Sequence, residues 1–172
     1  MTAIPSIDSY WVLPDKLLAG QYPGGNNEET TRKRVQSLIH AGIDTILDLT
    51  MPGDAFLPYM QVLQSEAADF DVKIERFNFP ILDYDIPTRE QMGEILNLID
   101  THLAQGKRVY VHCIGGRGRT GTVVGCFLVN HGRSGQEALS EIEHLRRDVA
   151  SWWQPSPESN AQIDFVLNWS KG

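Results

Sequence analysis

Apolar residues recur along this chain at two alternating periods, which predicts helices and strands that follow one another in turn. Helical spacing of apolar residues, together with capping residues, predicts helices over 28–41, 55–70, 88–103, 120–130, 134–149 and from 156 onward. Short apolar runs predict a hairpin over 11–20 and strands over 45–49, 73–79 and 108–112. This alternation indicates an α/β fold with a mostly parallel central sheet of about four to five strands and helices on both faces.

Capping residues place several of these helix starts. Thr88 and Ser134 each precede a Gln or Glu by three positions, which is the capping-box pattern. Ser156 followed by Pro157 suits the N-cap and first position of the last helix. Pro58 falls inside the helix predicted over 55–70 and makes that helix the least regular of the set.

Composition narrows the class of protein. With 172 residues, 41% of them apolar and 22% charged, we assign 1–172 to one globular domain with a hydrophobic core. The net charge of −7 and the lack of a Lys/Arg run argue against nucleic acid or an anionic membrane as the partner. Residues 1–5 do not resemble a signal peptide, and no apolar stretch reaches the ~20 residues that span a bilayer. We expect a cytoplasmic monomer.

The cysteines and histidines exclude further classes. There are two cysteines, Cys113 and Cys126, so a disulfide scaffold is excluded and a reducing compartment is indicated. Cys126 lies in the apolar helix predicted over 120–130 and is interpreted as a core residue. The remaining histidines show no ligand spacing, so we expect neither a metal nor another cofactor.

Segment 112–121 carries the strongest chemical pattern of the chain. Cys113 and Arg119 stand six positions apart, joined by a loop with three glycines that lies between a predicted strand and a predicted helix. Such a loop can direct several backbone N–H groups at one anion, and the helix dipole adds to the attraction. Arg119 can close over the anion with a planar, two-pronged grip, and the positive field favours the thiolate form of Cys113. This arrangement predicts phosphoryl transfer to sulfur.

A rival motif occupies the same residues. Gly116, Gly118 and Gly121 also fit the dinucleotide fingerprint G-x-G-x-x-G. That fingerprint requires a second strand about twenty residues later that ends in an acidic residue. The corresponding region, 137–143, is helical in pattern, and no Gly-Lys-Ser/Thr of a Walker-type phosphate loop occurs. We therefore reject both nucleotide-binding motifs.

The whole string matches a known signature, His-Cys-x-x-Gly-x-x-Arg-(Ser/Thr)-Gly. Its fixed positions are filled by His112, Cys113, Gly116, Arg119, Thr120 and Gly121. Here the chain resembles the protein tyrosine phosphatase superfamily. The glycines between its cysteine and arginine make the loop most similar to that of compact dual-specificity members such as the kinase-associated phosphatase. The resemblance implies a cysteine-dependent phosphatase that acts on phosphotyrosine in proteins or peptides, with phosphoserine and phosphothreonine as further candidate substrates.

The resemblance also implies roles for single residues. Cys113 is the expected nucleophile, and Arg119 the group that stabilises the charge on the transferring phosphoryl group. Thr120 would donate its hydroxyl to the sulfur, while His112 would order the loop. The residues expected to bind the phosphate are Ile114, Gly115, Gly116, Arg117, Gly118 and Arg119. Arg117 lies outside the fixed signature and is either a rim residue that favours extra negative charge or a solvated surface arginine.

The leaving oxygen needs an acid from another loop, and 79–88 offers two. This segment joins a predicted strand to a predicted helix, so it lies at the same sheet edge as the Cys113 loop. It is similar to the acid loop of kinase-associated-phosphatase-like enzymes, which favours Asp83, thirty residues before Cys113, over its competitor Asp85. Asp48 is a weaker candidate that could instead hold a neighbouring loop.

Gln162 resembles a glutamine that the family carries near the start of the last helix. It could line the pocket and orient the hydrolytic water, or it could be an exposed polar residue of that helix. Two other functions stay open from the sequence. One is a phosphatase for a non-protein phosphate, such as an inositol phosphate, a glycan or an RNA 5′ end. The other is a catalytically silent module that binds phosphate.

Overall fold

The computed structural model describes residues 8–55 and 57–170, so the predicted absence of a signal peptide at 1–5 falls outside the described residues. The strands are β1 (Ser9–Leu13), β2 (Leu17–Gly20), β3 (Thr45–Asp48), β4 (Glu75–Asn78) and β5 (Val109–His112). The helices are α1 (Glu28–His40), α2 (Met60–Asp69), α3 (Arg89–Ala104), α4 (Gly118–Asn130), α5 (Gly135–Leu145) and α6 (Asn160–Leu167). None of these helices is long and apolar enough to cross a bilayer.

The strands form one five-stranded sheet in the order β1-β2-β5-β3-β4. β5 pairs in parallel with β2 and β3, and β3 pairs in parallel with β4, whereas the edge strand β1 runs antiparallel to β2. The α/β class and the mostly parallel sheet predicted from the sequence are therefore confirmed. The antiparallel edge follows from the tight connection between β1 and β2, because parallel strands need a long crossover.

Helices cover both faces of this sheet, as predicted. Alternate residues of β5 point to opposite faces: Val109 and Val111 pack in the cluster that includes α3, α4, α5 and α6, and Tyr110 packs in the cluster with α1 and α2. Both clusters consist of buried apolar side chains. Because β5 is covered on both faces, its whole length is buried, and so is the point at which its chain leaves the sheet.

The register brings four loops to one edge of the sheet. His112 pairs with Asp48 of β3 and with Gly20 of β2, and Asp48 pairs in turn with Asn78 of β4. These residues end their strands, so the loops that follow β2, β3, β4 and β5 all leave the sheet at its carboxyl edge. In parallel sheets this edge is where ligands bind.

Three helix boundaries predicted from the sequence are wrong by about four or five residues. Helix α2 begins at Met60 rather than 55, because Pro58 restricts the residue before it to extended backbone. Helix α5 ends at Leu145 rather than 149. Helix α6 begins at Asn160 rather than 156, because its capping box is formed by Ser159, whose hydroxyl accepts from a backbone N–H three residues on.

Candidate active site

The chain between β5 and α4 makes a tight loop whose backbone is fixed from outside. Gly116 has φ +71°, a conformation that favours glycine, and a Cβ there would lie 2.4 Å from the carbonyl carbon of Gly20. The N–H of Tyr22 donates to the Ile114 carbonyl over 2.9 Å. The loop therefore crosses the end of β2 at a distance that only glycine permits, and its curvature is set by packing against that strand.

Three side chains expected at the site are buried at the base of this loop. Cys113 is 2% exposed, Arg119 1% and Thr120 0%. Arg119 Nε and Thr120 Oγ1 are buried without a hydrogen-bond partner among the described residues. Buried polar groups without partners are costly, so their persistence beside a cysteine is a mark of a site that binds a polar ligand.

The Arg119 guanidinium is held from two neighbouring loops. Its Nη1 donates to the Asp54 carboxylate over 2.5 Å and to the Ile81 carbonyl over 2.9 Å, while Nη2 lies 3.1 Å from an Asp83 oxygen. Burial acts to lower the pKa of Arg119, but its hydrogen bond to Asp54 and the nearby Cys113 raise that pKa above its ordinary value. The guanidinium therefore stays charged. Its Nη1 is fixed by two hydrogen bonds, whereas its Nε and Nη2 form the edge at which a ligand can replace Asp83.

His112 contacts the loop from behind. Its Nδ1 lies 3.1 Å from the Cys113 carbonyl oxygen and its Nε2 lies 2.9 Å from the Tyr59 hydroxyl. Burial lowers the pKa of His112, so the ring is neutral. A carbonyl can only accept, so Nδ1 carries the proton and donates to Cys113, and Nε2 accepts from Tyr59.

Asp48 lies behind His112 and holds the neighbouring loop. Its carboxylate accepts from the N–H and hydroxyl of Thr50 at 2.9 and 2.6 Å, and from Nε and Nη2 of Arg76 at 3.0 and 2.6 Å. Burial acts to raise the pKa of Asp48, but the hydrogen bonds from Thr50 and Arg76 bring it below its ordinary value. Since His112 is neutral and 3.9 Å away, the Arg76 and Thr50 contacts are the ones that keep this carboxylate ionised. Asp48 is thus placed to support the loop after β3.

The two candidate acids occupy different positions. Asp83 is 54% exposed and reaches Arg119, so the structure brings it to the cysteine loop. Both carboxylates accept from the next backbone N–H, Asp83 from Tyr84 over 3.1 Å and Asp85 from Ile86 over 2.8 Å, so the contact with Arg119 is what distinguishes Asp83. Of the two candidate acids, Asp83 is the one that the structure places against Arg119.

Gln162 is fully buried rather than exposed on its helix. Its Nε2 donates to the Asp85 carbonyl over 3.0 Å, and its Oε1 accepts from the N–H groups of Glu158 and Ser159, each over 3.1 Å. The amide thus links the loop after β4 to the start of α6. A Cβ on Gly118 would lie 3.0 Å from its Oε1, so Gln162 also borders the cysteine loop.

Arg117 is not a solvated surface arginine. Its Nη2 lies 2.6 Å from Oε1 of Glu158, and the Ser156 hydroxyl donates to its carbonyl over 2.8 Å. Cys126, the other cysteine, is buried in the core as predicted, and burial raises the pKa of its thiol. No group of three or more His, Cys, Asp or Glu side chains within the described residues could hold a metal ion.

Asp54, Tyr59 and Glu158 are contacts of the site that sequence reasoning missed. For Asp54 a signal existed, because it follows Pro52 and Gly53 in the loop after β3, at the same sheet edge as the cysteine loop. For Tyr59 and Glu158 there was none, since neither residue type nor spacing relates them to His112 or Arg117.

Comparison with known proteins agrees with this geometry. A family model described as the Swiss Army Knife protein, DSP-PTPase phosphatase domain, matches residues 8–168. The protein tyrosine phosphatase domain-containing protein 1 of Mus musculus is 31% identical over 134 residues, which are 74% of this chain and 17% of that protein. A phosphatidylglycerophosphate phosphatase of Arabidopsis thaliana is 30% identical over 116 residues, 67% of this chain and 47% of that one. The chain thus spans less than half of these two relatives.

Solved structures show the same fold. A kinase-associated phosphatase with its catalytic-site cysteine replaced by serine superposes with a TM-score of 0.73 at 19% identity, covering 92% of this chain and 90% of that one. The matching family model covers nearly the whole described chain, including the loop between β5 and α4. The chain therefore belongs to the protein tyrosine phosphatase superfamily and has a phosphatase domain of the dual-specificity type.

Proposed function

We propose that this phosphatase hydrolyses phosphotyrosine in proteins or peptides, with phosphoserine and phosphothreonine as poorer substrates, through a thiophosphate intermediate on Cys113. The observation that carries the proposal is the burial of Cys113 beside Arg119, together with the Arg119 Nε and the Thr120 hydroxyl, which have no hydrogen-bond partner in the part of the chain that the structure describes. Because Cys113 is 2% exposed, a phosphate on a flat aryl ring reaches it more readily than one on the shorter serine side chain.

The first step is binding. Nη1 of Arg119 is fixed by Asp54 and Ile81, so the phosphate dianion takes the Nε and Nη2 edge and displaces Asp83 from Nη2. Loop N–H groups and the N-terminus of α4 supply further positive potential. The exchange leaves Asp83 free to turn toward the leaving oxygen.

Phosphoryl transfer follows. The Cys113 thiolate forms a bond to phosphorus as the phosphorus–oxygen bond to the leaving group breaks. Asp83, which takes up a proton from solvent after it leaves Arg119, gives that proton to the leaving oxygen. Arg119 and the loop amides stabilise the charge on the equatorial oxygens. A neutral His112, which donates to the Cys113 carbonyl, keeps the sulfur at the base of the loop.

Hydrolysis of the intermediate regenerates the enzyme. Water attacks phosphorus, Asp83 takes a proton from that water, and the sulfur–phosphorus bond breaks to give inorganic phosphate and a thiolate. The Thr120 hydroxyl donates to the departing sulfur and lowers the cost of its negative charge. Gln162, with its amide bonded to the Asp85 carbonyl, positions the loop that carries Asp83.

A second candidate is a lipid phosphate substrate. It is favoured by the likeness to lipid phosphatases, among them the phosphatidylglycerophosphate phosphatase of Arabidopsis thaliana. Against it, the one charged side chain among loop residues 114–118 is Arg117, and its charge is already paired with Glu158. The loop therefore offers a phosphoglycerol headgroup no free cation beyond Arg119, which supports the peptide substrate.

A substrate panel tests the proposal. We expect kcat/KM to be highest for a phosphotyrosine peptide, lower for phosphoserine and phosphothreonine peptides, and lowest for phosphatidylglycerophosphate in mixed micelles. Cys113→Ser should abolish turnover of each, whereas Cys126→Ser, the same change at the buried core cysteine, should retain it. A preference for the lipid would overturn the substrate class, and phosphate binding without turnover of any substrate would identify a binding module.

A further inference from the structure

The second arginine of the cysteine loop is held by a residue from near the far end of the chain. Nη2 of Arg117 lies 2.6 Å from Oε1 of Glu158, and the two side chains are only 22% and 13% exposed. A Cβ on Gly115 would lie 3.4 Å from Nε of Arg117. The arginine thus folds back along the loop instead of extending into solvent.

Glu158 is fixed against the same loop. A Cβ on Gly118 would lie 2.6 Å from its Oε2, so the carboxylate borders the loop where α4 begins. Its main-chain N–H donates to the buried Gln162 amide over 3.1 Å, and Ser156, two residues earlier, donates to the Arg117 carbonyl over 2.8 Å. The carboxylate is therefore a fixed part of the loop's rim rather than a mobile surface charge.

This pairing divides the two arginines of the loop into different roles. Arg119 keeps an edge for a phosphate, whereas Arg117 is neutralised by a carboxylate a hydrogen-bond length away. A second phosphate near the rim would have to displace Glu158 from Arg117 and would be repelled by that carboxylate. A partly buried ion pair is also screened less by salt than an exposed one, so the discrimination persists at ordinary ionic strength.

We infer that Glu158 is a specificity-determining residue, which by holding Arg117 favours substrates with one phosphate over substrates with a second phosphate beside the first. The inference rests on the reaction proposed at Cys113 and names its substrate class more narrowly. That class is a phosphate monoester whose neighbouring groups are uncharged, such as a singly phosphorylated aryl group. Glu158 acts through the charge of Arg117.

The test compares two small probes, phenyl phosphate and 1,3-phenylene bisphosphate. For each variant we take the ratio of kcat/KM for the bisphosphate to that for the monophosphate. Glu158→Gln should raise this ratio by about fivefold, the size of one partly exposed phosphate–arginine contact. Arg117→Gln, which leaves the Glu158 charge uncompensated, should lower it, and the double variant should return it to the wild-type value.

A matched control is Glu141→Gln, since Glu141 pairs with Arg133 over 2.5 Å on the surface. Its ratio should equal that of the wild type. An unchanged ratio in Glu158→Gln would overturn the inference, and so would a raised ratio that persists in the double variant, because Arg117 would then have no part in it. If circular dichroism shows that Glu158→Gln does not fold, the Arg117→Gln variant still tests the inference, because its ratio should be lower than that of the wild type.

The same comparison can be made without turnover. In the Cys113→Ser background, calorimetry gives the dissociation constants of the two probes. For each variant, the affinity for the bisphosphate relative to the monophosphate should change in the same direction as the ratio of kcat/KM values. Both probes are small aryl phosphates, so the result does not depend on whether the natural substrate is a peptide or a lipid. A failure of the peptide panel therefore refutes the proposed substrate, whereas an unchanged probe ratio refutes the role of Glu158.

Discussion

Asp54 offers a sharp test of how this site works, because it holds Arg119 and yet places a negative charge beside the phosphate position. Its carboxylate accepts from Nη1 over 2.5 Å, Arg119 is 1% exposed, and the Asp54 side chain is 20% exposed. Asp54→Asn keeps an acceptor oxygen and removes the charge. The variant therefore separates orientation of the guanidinium from the electrostatics of phosphate binding.

The expected magnitude follows from the contact. Asp54→Asn still leaves a hydrogen bond to the charged guanidinium but removes the attraction between two opposite charges, which for a pair with one buried member is about 1–1.5 kcal/mol, slightly above the range for exposed pairs. Since Arg119 acts most strongly on the transition state, this loss lowers kcat by about tenfold. KM should not rise, because one carboxylate that repels the dianion is gone.

Steady-state kinetics with an aryl phosphate, with thermal unfolding to check the fold, provide the measurement. Asp54→Glu should recover part of kcat because it restores the charged acceptor, and Asp69→Asn, the same change at an exposed position of α2, should behave as wild type. An Asp54→Asn enzyme with unchanged kcat and raised KM would refute the reasoning, because it would assign Asp54 to ground-state binding.

Three further predictions concern the acid, the fold and the effect of pH. Asp83→Ala should slow the hydrolysis of aryl phosphates with poor leaving groups far more than that of aryl phosphates with good ones. A stronger dependence of the rate on the leaving group in Asp85→Ala than in Asp83→Ala would contradict the assignment of the acid. Gly116→Ala should lower the free energy of unfolding by at least about 1 kcal/mol in urea titrations, because φ is +71° and the added Cβ meets β2; equal stability would refute this packing. Burial lowers the pKa of His112, so the unfolded chain binds the proton first and stability should fall as pH drops below about 6.5, by at most about 1.4 kcal/mol per pH unit. His112→Asn should flatten this pH dependence in urea unfolding, whereas the same change at exposed His144 should leave it as in the wild type.

Most of the fold and the centre of the site could be predicted from patterns among residues that are close in the chain. The motif from His112 to Gly121 lies within ten consecutive residues, so the order of strand, glycine loop and helix could be predicted from neighbours in sequence. The buried strands and their intervening helices followed from periodicity in the same way. The start of α6 was predicted wrongly because two start signals competed there, and the cap formed by Ser159 prevails over Ser156.

Contacts between distant segments could not be predicted in this way. Asp54 meets Arg119 across 65 positions because β3 pairs with β5, and Glu158 meets Arg117 because α6 packs on α4. Which carboxylate reaches which arginine depends on the order of strands in the sheet and on the path of each loop, and residue spacing contains neither.

The amino-acid sequence alone determined that this chain has an α/β fold and a cysteine–arginine loop at a strand end, because both depend on interactions among residues close in the chain. The tertiary structure decided how each charge of that loop is used. It leaves an edge of Arg119 for a phosphate and neutralises Arg117 with Glu158. These outcomes depend on electrostatic contacts over a few ångströms between segments that only the folded sheet brings together.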